Sequence, residues 1–217
     1  MTLPLRLSAP PDKASVAHHS GPGLRVIFWV QGCALRCTRE CLNPHLLTSN
    51  GGHLVDPQVA GRWLLAVLRQ YADAEGVTVL GGEPFEQAAA LAVTLRIIRE
   101  AGYSTVVYSG HVYEMLRDSG NAGVQSLLRE VDVLVDGPYL SEESDPSLVW
   151  RGSRNQRVLP LTDRYSAEQL EEAQRRQGRA MFVSHAPDGS ISVSGLQSRV
   201  AAGIARRSAF RAQRRAR

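Results

Sequence analysis

The chain has 217 residues, is 43% hydrophobic and 21% charged, and carries a formal net charge of +4. This fits one domain, or one domain with an appendage, and supplies enough apolar material for a core. No run of roughly eighteen apolar residues occurs, which excludes a transmembrane helix, and the first residues lack the apolar stretch of a secretory signal, so a cytoplasmic location and no membrane partner are expected. The charge is unevenly spread. Residues 197–217 hold seven arginines and no acid, which leaves the rest of the chain mildly acidic. Arginine outnumbers lysine 24 to 1, a ratio read as coding bias more than as function.

In chain order, residues 1–20 contain early prolines and serines and are expected to be irregular. Residues 24–30 are apolar, β-branched and aromatic, which predicts a strand. Residues 57–71 place Val59, Trp63, Leu64, Val67 and Leu68 at helical spacing, with Asp56 as N-cap and Pro57 at the first helical position. A short strand over 77–80 runs into Gly81-Gly82-Glu83-Pro84. A helix is predicted over 86–100, a strand over 104–108, short helices over 112–117 and 124–130, and a strand over 131–135. Strands alternating with helices imply parallel strands joined by crossovers. Beyond Trp150 the pattern changes: a strand over 151–160, a polar helix over 167–177, and a hairpin over 181–194 turning at Asp188-Gly189. There are too few units for a closed eightfold barrel, so the predicted fold is α/β, an incomplete parallel β/α barrel. The expected organisation is an irregular segment (1–20), one domain (21–196) and a basic tail (197–217). The tail's apolar spacing is thin. It is read as a solvated helix in preference to a nucleic-acid-binding element.

All three cysteines of the chain, Cys33, Cys37 and Cys41, fall within nine residues. Clustered thiolates bind soft metals and iron–sulfur clusters, and an odd number in so short a run does not suit a disulfide scaffold. One open alternative is zinc, with His45 completing a four-residue interval, although zinc sites usually use shorter cysteine knuckles. The cysteine loop follows the first strand and Gly81-Gly82-Glu83-Pro84 follows the second. In parallel α/β folds both therefore face the side where ligands bind. Glycines there permit close backbone approach, and Glu83 with exposed carbonyls can accept hydrogen bonds from a ligand ammonium. The plainer reading of this turn is an ordinary strand-to-helix connection with Glu83 at the helix start. Ser109 and Asp136 sit at later strand ends, where each is either a ligand contact or a cap or turn residue. The histidines share no spacing and are read as surface or loop residues. Trp29, Trp63 and Trp150 are read as packing residues.

Gly21-Pro22-Gly23-Leu24-Arg25, Phe28, Gln31-Gly32-Cys33, Cys37, Cys41 and Asn43-Pro44 together resemble the radical S-adenosylmethionine (SAM) enzymes. The branch most similar is the one that activates glycyl-radical enzymes, including the anaerobic ribonucleotide reductase activases. Gly81-Gly82-Glu83-Pro84, Tyr108-Ser109-Gly110, the run 131–138 and the run 151–157 strengthen the likeness, which spans about residues 20–196. The resemblance implies a [4Fe-4S] cluster on Cys33, Cys37 and Cys41, with SAM chelating the fourth iron and the Gly81–Pro84 turn holding its amino group. In such a site Ser109 and Asp136 are the candidates for contacts to the SAM ribose or carboxylate, with a cap or turn role as the equal alternative. One electron then cleaves SAM to a 5′-deoxyadenosyl radical, which abstracts hydrogen from a glycine of a partner glycyl-radical enzyme. A flavodoxin or ferredoxin would supply the electron. Two other functions remain: a radical SAM enzyme acting directly on a small molecule or peptide, and a non-enzymatic metal- or nucleic-acid-binding module. The family's usual spacing is C-x3-C-x2-C. This chain has C-x3-C-x3-C, with Thr38-Arg39-Glu40 between the last two cysteines and Glu40 where many relatives carry an aromatic.

Overall fold

The computed structural model describes residues 3–177 and the strands Met181–His185 and Ile191–Gly195. The expected basic tail and the Asp188-Gly189 turn lie outside the described residues.

The first strands are β1 (Leu5–Leu7), β2 (Ser15–Ala17), β3 (Leu24–Val30) and β4 (His53–Val55). Helix α1 (Pro57–Leu68) leads to β5 (Ala74–Gly81), α2 (Ala88–Glu100) and β6 (Ser104–Tyr108). Then come α3 (Tyr113–Arg117), α4 (Ala122–Leu128), β7 (Val133–Asp136), β8 (Arg157–Pro160), α5 (Ala167–Gln177), β9 (Met181–His185) and β10 (Ile191–Gly195). β9 and β10 pair antiparallel as a hairpin.

One sheet carries the order β4-β1-β3-β5-β6-β7-β8, with β2 also on β3. β3, β5, β6 and β7 are parallel, as the alternation of elements predicts. The sheet does not close on itself. It ends at β4 on one side and β8 on the other, and both edges are built from antiparallel pairs. The molecule is therefore a mixed α/β structure with a largely parallel, open sheet.

Two expectations need correction. The first twenty residues are not wholly irregular, because β1 and β2 add to the sheet by pairing with β3. Three-residue strands carry too little alternation to be seen in sequence, and only their partners make them strands. The strand expected over 151–160 begins at Arg157, and residues 151–156 form a braced loop.

Helix starts follow local chemistry. The Asp56 carboxylate accepts from the Gln58 and Val59 amides, with Pro57 at the first position. Asn121 caps α4 the same way. Alternation along the parallel strands sorts side chains to two faces. Val26, Phe28, Val77, Val79, Val107 and Leu134 meet Leu64, Leu91, Leu95, Ile98 and Leu127 of the helices in the main core. Val106, Val133 and Val135 point the other way, toward Trp150 and Leu170 of α5.

On that second face, the amino-terminal ends of the strands are filled by Arg25, which is fully buried. Its Nε donates to Thr78 Oγ1 (2.7 Å) and one Nη to Pro22 O (3.1 Å) and Ser104 Oγ (3.0 Å). Its other Nη donates to Ser104 O (3.1 Å) and Val77 O. A buried cation is costly unless its donors are used, and here the acceptors are fixed strand atoms. Burial lowers the Arg25 pKa to about 10, with Tyr165 and Glu75 acting in the opposite direction, so it remains charged at neutral pH. The floor of this face is thus polar, packed and satisfied.

Candidate functional site

The carboxyl ends of the same strands carry the site. Beyond Val30 the chain leaves the sheet in a long loop that returns at Pro44–Leu46. Its root is tied down. Gly32 N donates to Leu46 O (2.9 Å), Cys33 N to Leu47 O (3.2 Å), and Gln31 Nε2 to His45 O and Thr48 O (2.9 and 2.7 Å). Glu86 Oε1 accepts from the Ala34 amide at 2.6 Å. The extra residue of the C-x3-C-x3-C spacing is taken up in a turn where the Glu40 amide donates to Thr38 Oγ1 (3.1 Å), and Glu40 itself is exposed.

The Gly81-Gly82-Glu83-Pro84 turn is fastened to the root of that loop. Gly82 N donates to Val30 O and Glu83 N to Gly32 O, each at 2.9 Å. A Cβ on Gly81, whose φ is +121°, would sit 2.3 Å from Val30 O, and one on Gly82 would sit 1.9 Å from Gly32 O. The close approach that demands these glycines is therefore between the turn and the cysteine loop's own backbone. Glu83 is 1% exposed. Its Oε1 accepts from Phe85 N (3.0 Å) and Ser109 Oγ (2.9 Å), and its Oε2 from Gly110 N (2.8 Å). Burial raises its pKa and these donors oppose the rise. Glu83 caps the single 3-10 turn Pro84–Gln87, in which Pro84 is buried. It is also a brace joining the ends of β5 and β6.

Of the residues singled out from sequence, Cys33, Cys37, Cys41, Gly81, Gly82, Glu83 and Ser109 line one cavity of about 200 Å³. Pro84 and Asp136 are not on its wall. Asp136 is fully buried, accepts from the Tyr113 amide at the start of α3 (2.7 Å), and is held by Arg157 (Nε to Oδ1, 2.9 Å). Arg157 bridges it to Glu114, whose pKa the pairing lowers. The cap-residue alternative describes Asp136, and Ser109 combines a turn bond from His111 N (3.0 Å) with its place on the wall. Trp29 and Trp150 line the cavity, while Trp63 is half exposed and does not serve packing as expected. His19 is buried and sits 2.8 Å from Ser20 Oγ, and burial lowers its pKa to about 4. Tyr108 and Arg151 entered the sequence reading only as members of the family-like runs 108–110 and 151–157, without a site role, and both lie on the cavity wall.

The three thiols are unpaired. Burial raises the pKa of Cys33, with Glu83 and Glu86 adding to the rise, and burial followed by Cys37 raises that of Cys41. Among the described residues no three His, Cys, Asp or Glu groups converge tightly enough to hold a single metal ion. His45 is not on the cavity wall. Three soft sulfur donors spread around one cavity, with no fourth thiol, suit a multi-iron cluster better than a mononuclear tetrahedral ion. Fold and donor set together define an open α/β protein with three free thiols around one cavity at its strand ends.

Comparison with known proteins points the same way. The family described as 4Fe-4S single cluster domain matches residues 19–159. The anaerobic ribonucleoside-triphosphate reductase-activating protein of Vibrio cholerae is 31% identical over 147 residues, 66% of this chain and 92% of that protein. Proteins of the same name from Haemophilus influenzae and Escherichia coli are each 30% identical, over 63% and 65% of this chain and 88% and 92% of their own lengths. The chain belongs to the 4Fe-4S single cluster domain family, in the glycyl-radical activase branch of the radical SAM proteins. The zinc reading gives way to iron–sulfur.

Proposed function

We propose that this protein is a radical SAM activating enzyme that installs a glycyl radical on an anaerobic ribonucleoside-triphosphate reductase. The observation that carries the reading is the gathering of all three cysteines on one cavity with Gly81, Gly82, Glu83 and Ser109, in a chain similar over most of its relatives' length to named activating proteins. When bound, a [4Fe-4S] cluster with SAM supplies one-electron cleavage of the sulfonium and a 5′-deoxyadenosyl radical able to take a hydrogen atom from a glycine.

The chain's own residues have separate tasks. Cys33, Cys37 and Cys41 would ligate three irons. The Gly81-Gly82-Glu83-Pro84 turn would present its backbone to the SAM amino group. Its distance from the cluster loop is fixed by the two amide bonds to Val30 O and Gly32 O. Glu83 orients this wall by spending its carboxylate on Phe85, Ser109 and Gly110, so its part is positioning rather than proton transfer. Ser109 would reach the ribose side of the ligand. Asp136 acts on the same end of the sheet through Arg157 and α3. Apolar wall residues such as Leu35, Leu80 and Trp150 exclude water.

The open sheet fits the finer reading of a partial radical SAM barrel, whose mouth a protein partner covers. A flavodoxin or ferredoxin is the proposed electron donor and the cytoplasm the proposed location. Among the described residues no helix is long and apolar enough to cross a membrane. The test is anaerobic. Reconstituted protein, SAM, a reductant and the reductase are expected to yield a glycyl-radical doublet by electron paramagnetic resonance. SAM cleavage without any radical on the reductase would replace this partner with another substrate.

A further inference from the structure

Helix α5 lies outside the family match, which ends at residue 159. It has 11 residues, most of them polar, and Leu170 is its one buried residue. A helix of this length is marginal on its own in water, so tertiary contacts must hold it. Leu170 and Ala173 pack with Val106, Val133, Val135 and Trp150 on the second face of the sheet. Just before the helix, the Tyr165 hydroxyl sits 2.9 Å from Ser104 Oγ on the polar floor. Gln177 follows Ala173 by four residues and so shares the face of α5 that meets the sheet.

The Gln177 side chain makes two long-range hydrogen bonds. Its Oε1 accepts from the Trp150 indole Nε1, and its Nε2 donates to Gly21 O at 2.8 Å. Only a carboxamide offers a donor and an acceptor on one planar group in this way. Both bonds reach the wall of the cysteine cavity. Trp150 lines the cavity, is 5% exposed, and is held at φ +65°, a conformation that a bulky residue adopts only under constraint. Gly21 follows Ser20, which also lines the cavity and whose carbonyl accepts from Thr78 Oγ1 at 2.9 Å. Gln177 itself is not on the wall. One side chain outside the cavity thus ties together two stretches of its wall that are far apart in sequence, and ties both to α5.

We infer that Gln177 is a positioning residue of the cysteine cavity: it clasps Trp150 to the Ser20-Gly21 segment and so sets the wall that a bound ligand meets. It acts through Trp150 and touches no ligand. The choice of ligand for the test rests on the proposed function; the clasp is a feature of this chain's own residues. Its consequence is that α5, although outside the family match, belongs to the working site.

The test is equilibrium binding of SAM to the full-length, cluster-loaded protein without reductant, so that nothing turns over. Iron content and thermal melts report whether each variant keeps its cluster and fold. Gln177→Leu removes both bonds at similar size, and Trp150→Phe removes the indole N–H from the other side. Each is expected to weaken SAM by about fivefold or more. The double variant is expected to fall well short of the product of the two losses, because both break one clasp. Gln177→Glu keeps an acceptor for the indole and loses the donor to Gly21 O, so it should lie between the natural chain and Gln177→Leu. If Gln177→Leu does not keep its cluster, Gln177→Glu decides: weaker SAM binding with iron and melting temperature retained supports the clasp, and unchanged binding overturns it. Losses that multiply in the double variant would make the two residues independent and overturn the assignment. A lowered melting temperature with unchanged SAM binding in Gln177→Leu would make α5 a stabilising element only and overturn this assignment alone. Iron-loaded wild-type protein that binds no SAM would overturn the proposed function and this assignment with it.

Discussion

The two ends of this sheet face are built on opposite rules. At the amino-terminal ends of the strands, Arg25 is wholly buried and its donors are met by Thr78, Ser104, Pro22 and Val77. At the carboxyl ends, an irregular loop brings three free thiols to a cavity. The same strands thus carry a closed polar floor and a thiol-bearing mouth. The first stabilises the fold, and the second leaves three thiols at a cavity.

Substitutions at the two ends should separate. The largest functional effect is expected at Cys37, the most exposed of the three cysteines. Cys37→Ala should retain its fold by circular dichroism and lose the intact cluster, with SAM cleavage falling at least about a hundredfold; retention of activity would remove the thiol from the site. The largest stability effect is expected at the floor. Arg25→Ala removes the donors to the Thr78 and Ser104 hydroxyls and to three carbonyls and opens a cavity, so denaturant unfolding should show a loss of about 3 kcal/mol or more. A loss below about 1 kcal/mol would show that the floor collapses around the gap. Gly82→Ala joins the two regions, because its Cβ meets Gly32 O. It should cost about 2 kcal/mol and lower iron retention, since the turn must move off the root of the cysteine loop. Stability lost with iron retention intact would uncouple turn from loop.

The smallest effect concerns His19, next to the floor at Ser20. Its folded-state pKa of about 4 lies below the ordinary 6.5, so the unfolded chain binds the proton more readily between those values. Stability should be unaffected above pH 6.5 and should fall as pH drops from 6.5 toward 4. Thermal melts at pH 7 and pH 5 should show a smaller acid drop for His19→Gln than for the natural chain. Equal drops would place the acid sensitivity elsewhere.

Much of the fold is legible in sequence where the signal is local and strong. β3, β6 and α5 have the residue bounds their patterns predict, and Asp56-Pro57 marks the start of α1. β1, β2 and β4 are not legible, because three residues show no period and their pairing is tertiary. The braced loop at 151–156 looked like a strand because its hydrogen bonds run through the Gln156 side chain, which a pattern of apolar residues does not register. At the site, clustering made the cysteines conspicuous, and Gly81 and Gly82 stood out by order and spacing. Asp136 sits at a strand end like a ligand contact, but Arg157 and the start of α3 occupy its carboxylate. Arg151 was legible only as part of the run 151–157, because its place on the cavity wall is tertiary.

The most direct measurement is formation of 5′-deoxyadenosine by the anaerobically reconstituted protein with SAM and a reductant, read by mass spectrometry beside Cys37→Ala. The account predicts 5′-deoxyadenosine from the intact protein and none above background from the variant. A reconstituted cluster that leaves SAM uncleaved, or equal product from both proteins, would contradict the assignment of the three-thiol cavity as the radical-generating site.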